Sequence, residues 1–353
     1  MTGRRGIWYA MVAALLFGAS APMAKVLVHD AAPQLIAGLL YVGSGVGLAI
    51  LTALHGAKRK RSEARMRRSD VTWLAAAIVF GGIVGPVLLM MGLVRAPASS
   101  ASLLLNLEGV FTATVAWFVF RENFDRRIVL GMVAIIAGGL TLSWGGRAQL
   151  GGLSGPLAVA GACLCWGIDN NLMQKVSHTD PRHPAMLKGL VAGVVNVGIA
   201  SAVGVRWPAT TVVGATLVLG FVSYGVSLVL YVLALRHLGT ARTAAYFSLA
   251  PFAGAAVAII GWRERPTVSL LLGALCMAIG VWLHLTEHHS HEHVHEPMEH
   301  AHAHVHDEHH RHEHGPDDPP VTDPKPHSHR HRHERLIHSH AHYPDLHHRH
   351  PHD

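Results

Sequence analysis

The first 286 residues contain very few acidic side chains. Only 9 of the 22 Asp and Glu residues lie there, and charged residues make up 14% of the whole chain, against about a quarter in soluble domains. Half of all residues are hydrophobic. This composition disfavours a soluble globular protein and predicts a membrane protein whose main partner is the lipid bilayer.

Several motifs that are typical of soluble proteins are also missing. The chain has no GxxxxGK[ST] segment that would bind ATP phosphates, so an ion gradient is the expected energy source. Three cysteines, all within apolar runs, cannot form a disulfide framework. The chain also lacks a basic face with stacking aromatic residues, which is the usual sign of nucleic-acid binding. We therefore expect neither an enzyme nor a nucleic-acid-binding protein, and no required cofactor.

Ten apolar segments have the length that a helix needs to cross a bilayer, which is about twenty residues. They predict an all-α membrane protein with ten transmembrane helices. The segments lie at 7–28, 34–54, 72–93, 98–120, 128–145, 153–174, 185–205, 211–234, 243–262 and 267–286.

The ten segments form an internal repeat. The stretch "LFGASAPMAK" (16–25) matches "CWGIDNNLMQK" (165–175), and an offset of 142 places Arg121-Glu122 on Arg263-Glu264. The same offset places Gly131 on Gly273 and Gly138 on Gly280. We predict one five-helix repeat over 7–145 and a second over 153–286.

An odd number of spans in each repeat requires the second copy to be inverted, which is a common design of secondary transporters. Lys and Arg residues mark cytoplasmic loops, and with the amino terminus inside they number sixteen in inner segments against six in outer ones. We therefore predict a multi-pass protein of a bacterial-type inner membrane with both termini in the cytoplasm. The oligomeric state stays open.

These features resemble the EamA branch of the drug/metabolite transporter superfamily. The similarity rests on the ten spans, on "LFGASAPMAK", and on the two Arg-Glu pairs, each followed nine residues later by Gly. It implies an exporter of metabolites, amino acids or drugs. The segment "SASLLLNLEGVFTA" also resembles a subgroup implicated in nickel and cobalt efflux. Many members carry an Arg early in the second span of each repeat, where this chain has Ala37 and Lys188.

Glu108 is a carboxylate in the middle of the fourth predicted span. A charge at this depth is costly unless it is paired, hydrated or protonated, and such residues usually serve transport. The alternative is a structural carboxyl, either protonated or paired with Asn106, that locks helix packing. Its counterpart in the second repeat is Ala250, so the fold itself does not require an acid here.

Asp169, Asn170 and Asn171 form a second polar cluster within the sixth predicted span. Carboxylate and amide oxygens can bind a divalent cation or exchange it for protons. The alternative is that Asp169 pairs with Lys175 or Lys188, because ionisable groups in membranes often pair with one another.

The segment 287–353 is a histidine-rich tail. From residue 284 onward the chain holds 25 of its 30 histidines, and few apolar residues accompany them, so we expect a disordered cytoplasmic segment. Imidazole binds Ni, Co and Zn, which makes the tail a predicted metal collector. A metal sink unrelated to cargo, a pH-sensitive brush and drifted sequence are alternatives. The predicted ligands are His291, His293, His295, His300, His302, His304, His306, His327, His329, His331 and His333.

The sequence therefore predicts a proton-coupled secondary transporter that exports a divalent transition metal such as nickel or cobalt. Glu108 and Asp169 would bind the metal ion or exchange it for protons. Asn106, Asn170 and Asn171 would help to coordinate the ion. One alternative is an exporter of an amino acid or another small organic metabolite, with the tail as a passenger. A second alternative, from another class, is a membrane-anchored metal sensor or storage protein.

Overall fold

The computed structural model describes residues 2–56, 68–120, 126–144, 153–174, 182–238, 240–286, 289–295, 298–304, 327–333 and 336–342. Between residues 2 and 286, the regular structure of the described part is helical. The α-helices are α1 (Thr2–Gly18), α2 (Ser20–Leu27), α3 (Pro33–Gly56), α4 (Arg68–Ala77), α5 (Gly85–Arg95), α6 (Ala98–Leu104), α7 (Leu107–Phe120), α8 (Arg126–Trp144), α9 (Ser154–Gln174), α10 (Arg182–Ala202), α11 (Thr210–Gly220), α12 (Ser227–Leu238), α13 (Thr240–Phe247), α14 (Ala250–Gly261) and α15 (Val268–Leu285).

Two π-helical segments, Ile78–Val84 and Phe221–Val226, each join two α-helices. The first connects α4 to α5, and the second connects α11 to α12. π-helical turns are rare and often mark functional sites. The two segments start 143 residues apart, close to the offset of the sequence repeat.

Eight helical segments in the described part are long and apolar enough to cross a membrane, which confirms a multi-pass membrane protein. Two of the ten predicted spans fall outside this set. Segment 153–174 is helical as α9 but carries Asp169, Asn170, Asn171 and Gln174. Segment 243–262 is divided into α13 and the short apolar α14. The qualifying segments are Arg5–Leu27, Pro33–Leu54, Asp70–Arg95, Ala98–Val119, Arg126–Ser143, His183–Ala202, Thr210–Ala234 and Val268–Leu285.

Helices at equivalent places in the two halves pack against each other. Helix α3 packs along α10, and α8 packs along α15. Helix α1 packs against α12 and α14, while α9 packs against α5 and α7. The first span of each half therefore contacts the third and fourth spans of the other half.

Glycines allow the closest of these contacts. A Cβ added to Gly138 would lie 2.8 Å from the carbonyl oxygen of Gly273, and a Cβ on Gly280 would lie 2.6 Å from that of Gly131. Small residues let the backbones of membrane helices approach closely. The glycines that the sequence repeat pairs therefore form the crossing of α8 and α15.

Short strands are described in parts of the tail, and its expected disorder stays a prediction. It contains four strands, β1 (His289–His295), β2 (Met298–His304), β3 (His327–His333) and β4 (Leu336–His342). Strand β1 pairs antiparallel with β4, and β2 with β3. The physical reason is the alternation of the sequence, because a period of two residues is the period of a strand.

Candidate functional site

The polar cluster predicted on α9 is the centre of the candidate site. Its three residues occupy successive positions, so they point in different directions around the helix, about 100° apart for each step. Asn170 and Asn171 contact α7, whereas Asp169 contacts α10 and the first π-helical segment. Helix α9 therefore connects two separate polar contacts.

Glu108 lies in the first turn of α7, directly after a break in the fourth span. Helix α6 ends at Leu104, and α7 begins at Leu107. The amide Nδ2 of Asn170 donates a hydrogen bond to Glu108 Oε1 at 2.9 Å and a second bond to Thr112 Oγ1 at 3.2 Å. The amino-terminal end of a helix favours a negative charge, so the break and the amide together stabilise this carboxylate.

The side-chain amides of Asn106 and Asn171 donate hydrogen bonds to backbone carbonyls. The Asn106 amide donates to the Leu103 carbonyl at 2.9 Å and contacts Met277 Sδ at 3.8 Å. The Asn171 amide donates to the carbonyls of Thr112 and Gly167, at 3.0 and 2.8 Å. The predicted pairing of Asn106 with Glu108 is therefore replaced by a bond to the Leu103 carbonyl, which also accepts from the backbone N–H of Asn106.

Asp169 forms a buried ion pair with Lys188. The Lys188 ammonium donates to Asp169 Oδ2, and the two side chains are 15% and 6% exposed, for lysine and aspartate respectively. The other carboxylate oxygen, Oδ1, is buried and accepts no hydrogen bond within the described part of the chain. A buried acceptor without a donor costs about 1–3 kcal/mol. The site therefore offers an acceptor oxygen that a ligand can satisfy.

The first π-helical segment forms one wall of this ion pair. A Cβ at Gly81 would overlap the Asp169 carboxylate, so only glycine fits there. The Gly81 carbonyl accepts hydrogen bonds from Tyr41 Oη at 2.7 Å and from Trp166 Nε1 at 3.0 Å. The Asn196 amide lies 3.3 Å from the carbonyls of Gly82 and Ile83. Side chains thus supply donors to carbonyls that irregular helix geometry frees.

Aromatic rings extend from Tyr41 into the other half of the molecule. The rings of Tyr41 and Tyr224 lie 5.8 Å apart, as do those of Tyr224 and Phe17. Phe17 contacts Phe247 at 5.3 Å, and Phe247 contacts Tyr231 at 4.9 Å. The polar pair therefore adjoins an aromatic row that crosses between the two halves.

Sequence reasoning missed four residues of this site: Tyr41, Gly81, Thr112 and Asn196. For Asn196 a signal was available, because it is an amide within the apolar run "VAGVVNVGIA". The other three resemble ordinary residues of a membrane span. Only the packing of α7 and the π-helical segment against α9, and of α3 against that segment, brings them together.

Among the residues whose side chains the structure describes, no group of three or more His, Cys, Asp or Glu residues could hold a metal ion. In the tail, only backbone register is described. His291 is opposite His340, His302 is opposite His329, and ten of the eleven predicted histidine ligands lie in the four strands. His306 lies outside the described residues. Metal binding by the tail stays a prediction.

Two relatives among known proteins are named as a transporter and as an efflux pump. A protein from Methanothermobacter thermautotrophicus named "Uncharacterized transporter" is 27% identical over 77% of this chain and 84% of its own length. A protein from Salmonella typhimurium named "Probable amino-acid metabolite efflux pump" is 26% identical over 53% of this chain and 59% of its own length. A solved crystal structure shares the fold with a TM-score of 0.58 at 15% identity, covering 79% of this chain and 95% of that one.

The model of the EamA-like transporter family matches residues 4–144 and 153–286. These two matches follow the two predicted repeats and cover most of the chain. Together with the relatives, they indicate a transporter and not an enzyme. The chain belongs to the EamA-like transporter family.

Proposed function

We propose that this protein is a proton-coupled secondary exporter of a small organic metabolite that carries a protonated amino group. It works in the inner membrane through ten spans arranged as two inverted repeats, with both termini in the cytoplasm. The observation that carries the proposal is the buried Asp169 carboxylate, whose Oδ1 accepts no hydrogen bond within the described residues.

Chain direction supports the inversion. The carboxyl end of α2 and the amino end of α9 both reach the corner between α5 and α6. Lys25 donates to the carbonyls of Leu93 and Ala96, and a Cβ on Gly155 would come within 3.1 Å of the Arg95 carbonyl carbon. The first span thus ends where the sixth begins, so equivalent spans run in opposite directions, as in other inverted-repeat transporters.

The chemistry of Asp169 favours an ammonium group as its ligand. The Asp169 Oδ2 already accepts from Lys188, and the open Oδ1 can accept from a second N–H donor. Tyr41 lies nearby on the same π-helical wall, and its ring begins the aromatic row. Aromatic faces attract ammonium groups. A primary amine with an apolar body satisfies both the carboxylate oxygen and the rings.

Glu108 is the proposed site of the exchanged proton. Its described hydrogen bond comes from a neutral amide, that of Asn170, whereas Asp169 has a cationic partner in Lys188. Intramembrane carboxylates of this kind serve as proton relays in transporters. Asp169 would therefore bind the cargo while Glu108 gains and loses the proton.

Transport into everted membrane vesicles tests the proposal. Vesicles with an imposed proton gradient receive a panel of radiolabelled amino acids and monoamines, and accumulation is measured. Asp169→Asn should abolish accumulation at every substrate concentration, and Glu108→Gln should abolish the response to the gradient while exchange of cargo across the membrane continues. Asp30→Asn, at an exposed carboxylate, is the matched control. Accumulation that survives Asp169→Asn would contradict the proposed cargo site.

A second candidate cargo is a divalent transition metal such as nickel or cobalt. The tail favours it, since imidazole is a common ligand of these ions and three pairs of histidines stand opposite each other in each strand pair. The same vesicles test radioactive nickel and cobalt in the full chain and in a chain that ends at Glu287. Metal accumulation that requires Glu108 would favour this candidate, and metal bound to the tail without flux would exclude it.

A further inference from the structure

Two unsatisfied oxygen atoms lie at the first π-helical segment, Ile78–Val84. Both Asp169 Oδ1 and Asn196 Oδ1 are buried, and neither accepts a hydrogen bond from any residue that the structure describes. A buried acceptor without a donor is costly. The proposed cargo site accounts for the first oxygen, whereas the second still lacks a role.

The neighbours of Asn196 fix the orientation of its side-chain amide. The amide nitrogen lies 3.3 Å from the carbonyl oxygens of Gly82 and of Ile83. Because both neighbours are acceptors, the donor end of the amide must face them. The acceptor end, Oδ1, therefore faces elsewhere and can accept a hydrogen bond from a bound molecule.

One face of α10 follows this π-helical wall. Lys188, Ala192 and Asn196 are spaced four residues apart, which places them on the same side of the helix. Lys188 bonds to Asp169, and a Cβ added to Gly82 would lie 2.7 Å from the Cβ of Ala192. The same face of α10 therefore carries the partner of Asp169 at one end and Asn196 at the other, with a small apolar residue between them.

The two oxygens adjoin the same short stretch of backbone. The Asp169 carboxylate packs against Gly81, and the Asn196 amide contacts the carbonyls of the next two residues. Consecutive Cα atoms are about 3.8 Å apart, and only two such steps separate Gly81 from Ile83. One small molecule is therefore long enough to reach both oxygens.

The Tyr41 side chain lies along this stretch. Its hydroxyl donates to the Gly81 carbonyl at 2.7 Å, and its Cε1 atom would lie 3.7 Å from a Cβ added to Gly82. The ring thus offers an apolar surface beside the two unsatisfied oxygens.

The sequence repeat does not require an amide at position 196. Ala37 corresponds to Lys188, an offset of 151, and the same offset places Gly45 on Asn196. The first half therefore forms its equivalent helix without this side chain. Like Asp169 and Lys188, Asn196 is a feature of the second half alone.

We propose that Asn196 Oδ1 binds a second hydrogen-bond donor of the cargo. This inference rests on the proposed function, because it requires an ammonium group at Asp169. The cargo is then a small molecule with two donor groups, joined by a short apolar chain that lies against Tyr41. A site built to bond a polar group rejects the analogue that lacks it, so Asn196 determines specificity for such bifunctional amines.

Ligand binding to the purified full chain in detergent tests this inference. The probes are pentylamine and 1,5-diaminopentane, which have the same carbon chain and differ by one amino group. A ligand that binds the folded state raises the unfolding temperature as its concentration increases, so a titration gives the half-saturating concentration of each probe. Diamines with three to six carbon atoms, each compared with the monoamine of the same length, identify the length that fits best.

The parent protein should bind the best diamine at a several-fold lower half-saturating concentration than the matching monoamine. Asn196→Leu, which keeps the shape of the side chain without its oxygen, should remove this preference by weakening only the diamine. Asp169→Asn should weaken both probes. Thr216→Val is the matched control, because this buried hydroxyl of α11 bonds within its own helix, to Val212. The control should keep the preference of the parent.

Two outcomes would overturn the role of Asn196 alone. One is equal binding of monoamines and diamines by the parent protein, a comparison that does not depend on the folding of any variant. The other is a diamine preference that survives Asn196→Leu, which would assign the Asn196 oxygen to a buried water molecule. The proposed function fails in a different way, because amine binding that is undiminished in Asp169→Asn would contradict the ammonium site itself.

Discussion

The two halves of this transporter share their helix irregularities but not their charges. Each half has a π-helical segment in its third span and a break in its fourth, at residues 105–106 and 248–249. In contrast, Asp169 and Lys188 of the second half correspond to Ser20 and Ala37 of the first. The repeat therefore provides a symmetric framework, whereas the ionisable groups differ between the halves: Glu108 lies only in the first, and Asp169 and Lys188 lie only in the second.

The largest effect should come from removing the charge that only the second half contains. Lys188→Met leaves the Asp169 carboxylate buried without its cation, which costs about 3–5 kcal/mol. Asp169→Asn together with Lys188→Met should restore most of this loss. Thermal unfolding in detergent measures both. A single variant as stable as the double variant would show that the pair does not contribute to stability.

A smaller and symmetric effect is expected at the crossing of α8 and α15. Gly138→Ala and Gly273→Ala each place a methyl group against the opposing carbonyl, and such overpacking costs about 1–3 kcal/mol. Gly261→Ala is the control, because nothing lies within 4 Å of its added Cβ. Unfolding temperatures should fall by similar amounts in the first two variants, and clearly unequal losses would argue against a shared framework.

A further asymmetric effect, of about 1 kcal/mol, is expected from Asn170→Ala. This change removes the amide that donates to Glu108, and a typical hydrogen bond contributes about this much. The first-half counterpart, Ala21→Ser, should change stability less, because its buried hydroxyl can donate to the backbone carbonyl one turn earlier, as those of Thr112 and Thr114 do. Chemical denaturation of the two purified variants checks the difference. Equal losses would remove the distinction between the halves at this position.

The smallest effect concerns pH and Glu264, whose carboxylate accepts from the backbone N–H groups of Ala98 and Ser99 at the start of α6. The folded pKa of Glu264 is lowered from the ordinary value of about 4.3, so its contribution to stability is present above that value and disappears as pH falls through the folded pKa. The unfolding temperature of the parent should exceed that of Glu264→Gln near pH 6, and the difference should vanish in more acidic buffer. A difference that grows on acidification would contradict the lowered pKa.

Much of the site was predictable at the level of single residues. Glu108, Asp169 and Lys188 stand out because a charge within an apolar run is costly and needs a partner, and the sequence offers Lys188 as one of two candidate partners of Asp169. The partners of Glu108 and Asn106 were not predictable. Asn106 bonds to Leu103 and Glu108 to Asn170, because the fourth span breaks at residues 105–106, and nothing in its local sequence indicates that break.

The sequence by itself determined the membrane class, the duplication and the family, since long apolar runs and repeated spacings are properties of the chain. It also located Glu108 in the first half and Asp169 and Lys188 in the second. The tertiary structure decided which surfaces those charges meet: a π-helical wall at Gly81, an aromatic row from Tyr41 and a corner held by Lys25 and Glu264. These contacts join residues that lie far apart in the sequence, such as Ala98 and Glu264 at 166 positions, and they depend on how the helices cross and not on local sequence.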